Sequence, residues 1–375
     1  MPWSRLHSAY IPNFLETNLT DDSVEERLSS LTEESPPCPF YWRSRFYALA
    51  GLLILAILVA AIAATVGPVS LPFTTVWKVI LSKLSLLEFQ ADWATETIVW
   101  ESRLPRIALA GAVGMALAVA GATYQGLFRN PLADPYLLGV AHGALLGATA
   151  GFLYLADWGG TIATTPVMSF VGAILAMALV YFVSRVGGTL PVTTLILSGV
   201  AVGTFLHSIQ AYMLYKADEK QHIIGWMFGD FNLTTWEEVG IALPLILIGV
   251  MFIWMYARSL NVMQFDEEQA QQLGVNVERV KVILLIAATM VTALAVCFCG
   301  IIGFVGIIVP HAVRLVWGPD HRFLLPLSAL VGAIFLITVE TLARTVLGTP
   351  PGILTAALGA PFFIYLLRRK RSVVF

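Results

Sequence analysis

Apolar runs of about 20 residues recur along this chain, and they constrain its fold more than any other feature. A run of that length lets one helix cross the hydrocarbon core of a bilayer. Ten such segments are predicted, at 46–67, 103–127, 136–155, 166–184, 191–214, 237–257, 281–299, 301–316, 323–344 and 352–368. Only 12% of the residues are charged, against about 25% in a soluble domain. We therefore predict an all-α polytopic membrane protein with about ten transmembrane helices per subunit.

The first 45 residues differ from the rest of the chain. The stretch is polar and acidic and ends in prolines, a composition typical of a disordered or loosely helical tail. It does not resemble a signal peptide, because the first apolar run begins only at Phe46 and is too long for the apolar core of one. The expected organisation is a polar cytoplasmic tail at 1–45 and a transmembrane domain at 46–375.

Lys and Arg in the short loops predict the orientation, because cytoplasmic loops carry an excess of them. With the N-terminus inside, the inner loops hold 13 basic residues and the outer loops hold 7. Both termini are then cytoplasmic, in a multi-pass protein of the cell membrane. Arg103, Arg106 and Arg344 would lie on the outer face, against this trend.

Several motifs of catalysis are missing from the sequence. It has no GxxxxGK[ST] phosphate loop, no HExxH and no CxxC, so neither ATP binding by such a loop nor these metal and redox sites are predicted. His142, His207, His222 and His311 each stand alone, without a second ligand at helical spacing, and are read as structural. We expect no enzyme, no catalytic residue, no metal ligand and no cofactor. An ATP-independent secondary transporter or channel remains possible, as does the membrane subunit of a pump whose ATPase is a separate chain.

The loop at 258–280 favours the pump. It contains a predicted short helix outside the membrane, in which Asp266 suits the N-cap and Gly274 the stop. Ala270 and Leu273 would present a small apolar face for docking. The residues that define this helix are Asp266, Glu267, Glu268, Ala270, Leu273 and Gly274. A secondary transporter would more typically carry charges at mid-membrane, whereas the later spans hold only one acidic residue, Glu340, near a span end.

Four motifs carry a resemblance to a known family. They are RLPR at 103–106, RNPLADPYLLGV at 129–140, GFVGIIVPHAVRL at 303–315 and PPGILTAALGAPFFIYLL at 350–367. In this order, and together with the loop at 258–280, they resemble the permeases of type II ABC importers, which take up cobalamin, ferric siderophores and haem. The similarity covers about 90–375.

The resemblance implies a permease that works as a homodimer, or with a close paralogue, around a pathway at the subunit interface. Two copies of a separate ATPase would dock on the loop at 258–280, and an extracytoplasmic binding protein would deliver the cargo. Arginines at the positions of Arg103, Arg106 and Arg344 would receive glutamates of that binding protein. The implied cytoplasmic gate consists of Asn130, Leu132, Val192 and Thr193.

The cargo expected from the resemblance is an iron chelate, either a ferric siderophore or haem, with cobalamin as the alternative. Substrate choice in this family rests mostly on the binding protein. The other expected contact is membrane lipid, and no nucleic acid is expected.

Overall fold

The structure of the protein, a computed structural model, describes residues 38–86, 88–155, 161–187, 189–217, 221–264 and 267–370. The chain divides into two compact units, Met1–Phe46 and Tyr47–Phe375. Most of the predicted N-terminal tail lies outside the described residues.

The described part of the chain is built from helices. In chain order the α-helices are α1 Cys38–Thr65, α2 Phe73–Lys83, α3 Trp93–Glu96, α4 Leu104–Leu127, α5 Val140–Tyr154, α6 Thr161–Ser184, α7 Val192–Lys216, α8 Gln221–Met227, α9 Trp236–Met255, α10 Ala257–Met263, α11 Glu267–Gln272, α12 Val277–Cys299, α13 Val305–Trp317, α14 His321–Leu342 and α15 Pro351–Lys370. π-Helical turns at Thr97–Arg103 and Ala343–Leu347 and a 3₁₀ turn at Pro135–Leu138 complete the helical structure.

Ten apolar helices stand at the ten predicted positions. Within the described ranges, seven are long and apolar enough to cross a membrane by length and composition: Ser44–Thr65, Trp93–Leu127, Thr164–Ser184, Val192–Lys216, Trp236–Met255, Val277–Cys299 and His321–Leu347. Three are shorter: Val140–Tyr154, Val305–Trp317 and Pro351–Ile364. The predicted all-α polytopic fold is confirmed.

The start of the second span is the main departure from prediction. We expected it at residue 103, but the helical segment begins at Trp93 and runs through the π-helical turn into α4. Because Glu96 and Glu101 interrupt the apolar pattern, that pattern does not reveal the extension. Asp92 caps the segment by accepting a hydrogen bond from the amide of Thr95 at 3.1 Å.

Helix α4 forms the centre of the bundle and packs against α9, α12, α13 and α14. Its sequence is rich in glycine and alanine, which lets neighbouring backbones approach closely. A Cβ built on Gly121 would lie 2.0 Å from the carbonyl oxygen of Gly306, so α4 and α13 touch through their backbones. The lower end of the bundle is defined here as the end where α4 finishes and α7 begins; α4 begins at the upper end.

Candidate functional site

A charged cavity lies at the upper end of the bundle. It has a volume of about 330 Å³, and its lining includes Arg106, Asp230, Glu340 and Arg344. Arg344 Nε lies 3.0 Å from Glu340 Oε1, one helical turn earlier, and both side chains are largely buried. Arg106 Nη2 donates to the carbonyl oxygen of Asn232 at 3.0 Å. Two guanidinium groups therefore share one cavity with two carboxylates; we call it the arginine cavity.

Arg103 does not line this cavity. Its side chain is 2% exposed, and its guanidinium donates to the carbonyls of Ala64 at 3.1 Å and Thr65 at 3.2 Å, and to that of Val69. These carbonyls end and follow α1, where a helix leaves its last carbonyls without intrahelical donors. The guanidinium of Arg103 is therefore occupied within the chain, whereas Arg106 and Arg344 line the cavity. The docking role of the three arginines stays a prediction.

The loop after α4 holds two of the predicted gate residues, Asn130 and Leu132. Arg129 adopts a left-handed conformation with φ 49°, which turns the chain at the helix end. The amide of Asn130 donates to the carbonyl of Gln125 at 3.2 Å, and Asn130 Oδ1 accepts from the amide of Leu132 at 3.0 Å. Asn130 is exposed at the lower end, held in one conformation by these bonds.

The other two predicted gate residues begin α7. Thr193 is exposed, and Val192 lines a shallow apolar cleft together with Leu127 and Phe128 from the end of α4. The structure thus brings the start of α7 next to the loop that holds Asn130, although the two segments are 60 residues apart in sequence.

Asp134 fixes the segment that leads from the gate loop back into the bundle. Its Oδ1 accepts a hydrogen bond from the amide of Tyr136 at 2.8 Å, and the Tyr136 hydroxyl donates to the carbonyl of Ile302 at 3.1 Å. Burial raises the pKa of Asp134 to about 6, although the hydrogen bond from Tyr136 opposes that rise.

Helix α11 is the predicted helix of the loop at 258–280. Gly274 ends it as expected, with φ 83° and its amide 2.9 Å from the carbonyl of Gln271. Glu268 is exposed, while Asp266 and the side chain of Glu267 lie outside the described residues. Leu273 is 71% exposed but Ala270 is buried. The predicted apolar face shared by both residues is therefore wrong: Ala270 packs inward, and Leu273 alone presents apolar surface.

A half-buried polar cluster joins this loop to α14. It consists of Asn261, Gln264, Asp320 and His321, and we call it the Asn261 network. Asn261 Nδ2 donates to Asp320 Oδ1 at 2.6 Å, and Asn261 Oδ1 accepts from the amide of His321 at 2.8 Å. Gln264 Nε2 lies 2.7 Å from His321 Nδ1 and donates to the carbonyl of Pro319 at 3.0 Å. These bonds fix α10, three residues before α11, to the start of α14.

The imidazole of His321 extends the Asn261 network to α4. The side chain is buried, and a Cβ built on Gly126 would lie 2.8 Å from its Nε2, so glycine leaves the space that the ring fills. The adjacent Gln125 accepts a hydrogen bond at Oε1 from Arg314 Nη1 at 3.0 Å. The Asn261 network thus ends against the last turn of α4, just before the Asn130 loop.

A second connection runs from the same loop to the start of α7. Glu278, in the first turn of α12, accepts at Oε2 a hydrogen bond from the amide of Leu190 at 3.2 Å. The other oxygen of Glu278 pairs with Lys281 at 3.2 Å. The loop that carries α11 therefore contacts the last turn of α4 and the residue pair before α7, which lead into the two segments that hold the predicted gate residues.

Sequence reasoning missed both connections. Asn261 and His321 are 60 residues apart, and Leu190 and Glu278 are 88 apart. No helical or strand spacing links such residues, so only the packing of α10, α12 and α14 brings them together. His142 and His207 are likewise isolated along the sequence, but their ring centroids lie 5.6 Å apart in the structure.

Comparisons with known proteins agree with this architecture. Residues 52–369 match the FecCD transport family. The chain is 41% identical to the cobalamin import system permease protein BtuC of Halobacterium salinarum, covering 86% of this chain and 95% of that protein. It is 37% identical to the hemin transport system permease protein HmuU of Yersinia pestis, again over 86% and 95% of the two chains.

A solved structure has the same fold. It is described as an inward-facing conformation of a metal-chelate type ABC transporter, and it is 29% identical to this chain. The match covers 86% of this chain and 98% of the other, with a TM-score of 0.73. The resemblance carried by the four sequence motifs is thereby confirmed, and the chain belongs to the FecCD transport family, as a membrane-embedded permease of an ABC importer.

Proposed function

We propose that two copies of this chain form the pathway through which an iron chelate, either a ferric siderophore or haem, enters the cytoplasm. A separate ATPase, in two copies, drives the cycle from the lower end, and a substrate-binding protein delivers cargo at the upper end. The observation that carries this proposal is the pair of connections from the loop at 258–280 to both gate segments. A transporter without an ATPase has no need to link an exposed loop helix to its gate.

In this proposal the ATPase docks on α11. Its surface at Leu273 and Gly274 is exposed, and Glu268 adds a charge beside it. The helix is anchored on both sides, through the Asn261 network and through Glu278. A push on α11 therefore reaches the Asn130 loop and the start of α7 through hydrogen-bonded side chains and rigid helices.

The binding protein docks at the arginine cavity. Arg106 and Arg344 are already balanced by Asp230 and Glu340, so an incoming carboxylate competes for the guanidinium groups rather than meeting a bare positive charge. Arginine suits this exchange because its planar fork can contact two acceptors at once. With the lower end in the cytoplasm, both termini are cytoplasmic.

The proposed cargo is based on the cargoes for which similar permeases are named. One is named for hemin transport, one for Fe(3+)-citrate import in Bacillus subtilis at 35% identity, and one for iron(3+)-hydroxamate import in the same organism at 34% identity. Cobalamin is the alternative, favoured by the 41% identity to BtuC of Halobacterium salinarum. All of these cargoes are metal chelates.

Uptake into proteoliposomes tests the proposal. The permease is reconstituted with its ATPase and binding protein, and uptake of ferric citrate, ferric hydroxamate, hemin and cobalamin is followed with and without ATP. The expected result is ATP-dependent uptake of an iron chelate that disappears when the ATPase is omitted. Uptake that persists without the ATPase would establish the alternative, a secondary transporter or channel. Uptake of cobalamin alone would replace the iron assignment.

A further inference from the structure

Two histidines from different helices lie side by side within the bundle. His142 lies in the first turn of α5 and His207 in the second half of α7, with ring centroids 5.6 Å apart and planes tilted by 70°. At 1.5 Å per residue, His207 lies roughly 22 Å along α7 from the lower end. The pair is therefore well inside the membrane-spanning part of the chain, where histidines usually face a cavity or another polar group.

The local packing holds one ring in place. A Cβ built on Gly203 would lie 2.9 Å from His142 Nδ1, so α7 carries a glycine where the ring presses against it. That Nδ1 atom is buried and has no hydrogen-bond partner among the described residues. An unpartnered buried polar atom is costly, and packing alone would be served as well by an apolar side chain.

The second ring lies on an exposed helix face. His207 is exposed, and so are Thr204 and Ser208 beside it. An ionisable side chain such as that of His207, in the middle of a spanning helix, faces the protein interior or a water-filled cavity rather than lipid. The exposed side of α7 thus presents an imidazole that is open to a ligand.

We propose that His207, with the ring of His142 packed against it, binds the metal of the cargo at a coordination position that the chelate leaves open. The inference rests on the proposed function and narrows its substrate class to metal chelates with an exchangeable axial ligand, of which metal tetrapyrroles are the planar kind. A ferric ion saturated by a hexadentate siderophore offers no such position.

The chemistry is reversible ligand exchange. A neutral imidazole has one nitrogen with a free lone pair and one N–H donor, and a histidine nitrogen binds a metal at about 2.0–2.1 Å. The lone pair of the His207 imidazole replaces water or another exchangeable ligand on the metal, and the oxidation state does not change. His142, packed against the His207 ring, orients it, as groups outside the metal's own ligands usually do.

An optical titration tests this site. The permease–ATPase complex in nanodiscs is titrated with hemin, and binding to empty nanodiscs is subtracted. The wild-type complex is expected to show the absorption change of imidazole-ligated ferric haem. His207→Ala is expected to weaken binding at least tenfold and to abolish that spectral form, and His142→Ala to weaken binding severalfold. Ser208→Ala, a neighbour on the same face that leaves both imidazoles intact, should bind as the wild type does.

Two results would overturn the site. One is wild-type binding no greater than that of empty nanodiscs; the other is a His207→Ala complex with the wild-type spectrum and affinity. His207→Gln repeats the test with a polar side chain, in case the alanine variant does not assemble. Neither negative result depends on transport, so ATP-dependent uptake of an iron chelate by a complex without hemin binding would reject the histidine site and leave the proposed function standing.

Discussion

At the scale of single residues, Arg103 shows what a buried guanidinium does at the end of a helix. An arginine near the end of a span suggests a surface that meets lipid head groups or a partner's carboxylate. Here its guanidinium instead satisfies three backbone carbonyls around the end of α1. Buried carbonyls without donors are costly, so this side chain fastens the first span to the bundle.

Replacing Arg103 should therefore affect stability before it affects partner binding. Arg103→Ala leaves those carbonyls without donors and is expected to cost about 2–4 kcal/mol, with Arg103→Lys losing part of that because it has fewer donors. Thermal unfolding of the purified permease in detergent measures the loss. An unchanged melting temperature together with weaker binding-protein affinity would return Arg103 to the docking surface.

The raised pKa of Asp134 gives a pH dependence with a definite sign. Because burial raises the folded-state pKa to about 6 from 3.8, the protonated form is favoured in the folded protein. The contribution of this carboxyl to the stability of the folded state is therefore full below about pH 4, and about 2–3 kcal/mol of it is lost as the pH rises through about 6. Asp134→Asn keeps an acceptor for the Tyr136 amide but cannot ionise.

Comparing Asp134→Asn with the wild type isolates this contribution from that of other carboxylates. The variant is expected to gain stability relative to the wild type between pH 4.5 and pH 7, measured by thermal unfolding in the same detergent. Parallel stability profiles across that range would show that the Asp134 carboxyl titrates normally.

At the scale of elements, the sequence predicts the spans well and the connections between them poorly. Apolar runs reveal each spanning helix because lipid requires them, and Gly274 marks the end of α11 because its left-handed conformation favours glycine. The start at Trp93 was hidden by Glu96 and Glu101 in an otherwise apolar stretch. The inward position of Ala270 could not be predicted, because it depends on which side of a six-residue helix faces the bundle.

The Asn261 network joins α10 to the start of α14. Its removal should uncouple ATP hydrolysis from cargo transport, if force passes through it as proposed. Asn261→Ala deletes two bonds between α10 and α14 but leaves the surface of α11 intact. We expect ATPase co-purification to stay near the wild-type level, while the amount of cargo moved per ATP hydrolysed falls about tenfold. Ser259→Ala, in the same helix and outside the network, is the control.

The ratio of uptake to hydrolysis separates coupling from folding. A variant that merely folds less well loses uptake and hydrolysis together, because fewer complexes are active. Wild-type stoichiometry in Asn261→Ala would mean that the network only supports packing, and that α11 reaches the gate by another route.

At the scale of the whole molecule, the segments at the lower end are expected to move together. In the proposed mechanism, the loop at 258–280 would receive force from the ATPase, and the Asn261 network and Glu278 would transmit it to two gate segments. Two copies of those segments would close the pathway. Helices that pack through their backbones, such as α4 and α13, deform little, so movement at α11 is expected to appear as rigid shifts at the gate.

Cross-linking between the two permease copies is the most direct test of a gate that moves with the nucleotide state of the ATPase. Single cysteines are introduced at Leu132 or Thr193, in a background from which the three native cysteines have been removed, and the full complex is reconstituted in nanodiscs. Disulfide formation between the two permease copies is measured without nucleotide and with ATP trapped on a hydrolysis-deficient ATPase. The account predicts a severalfold difference in cross-linking between the two states at one position or both. Equal yields in both states, or no cross-linking at either position, would contradict a nucleotide-driven gate formed by these segments.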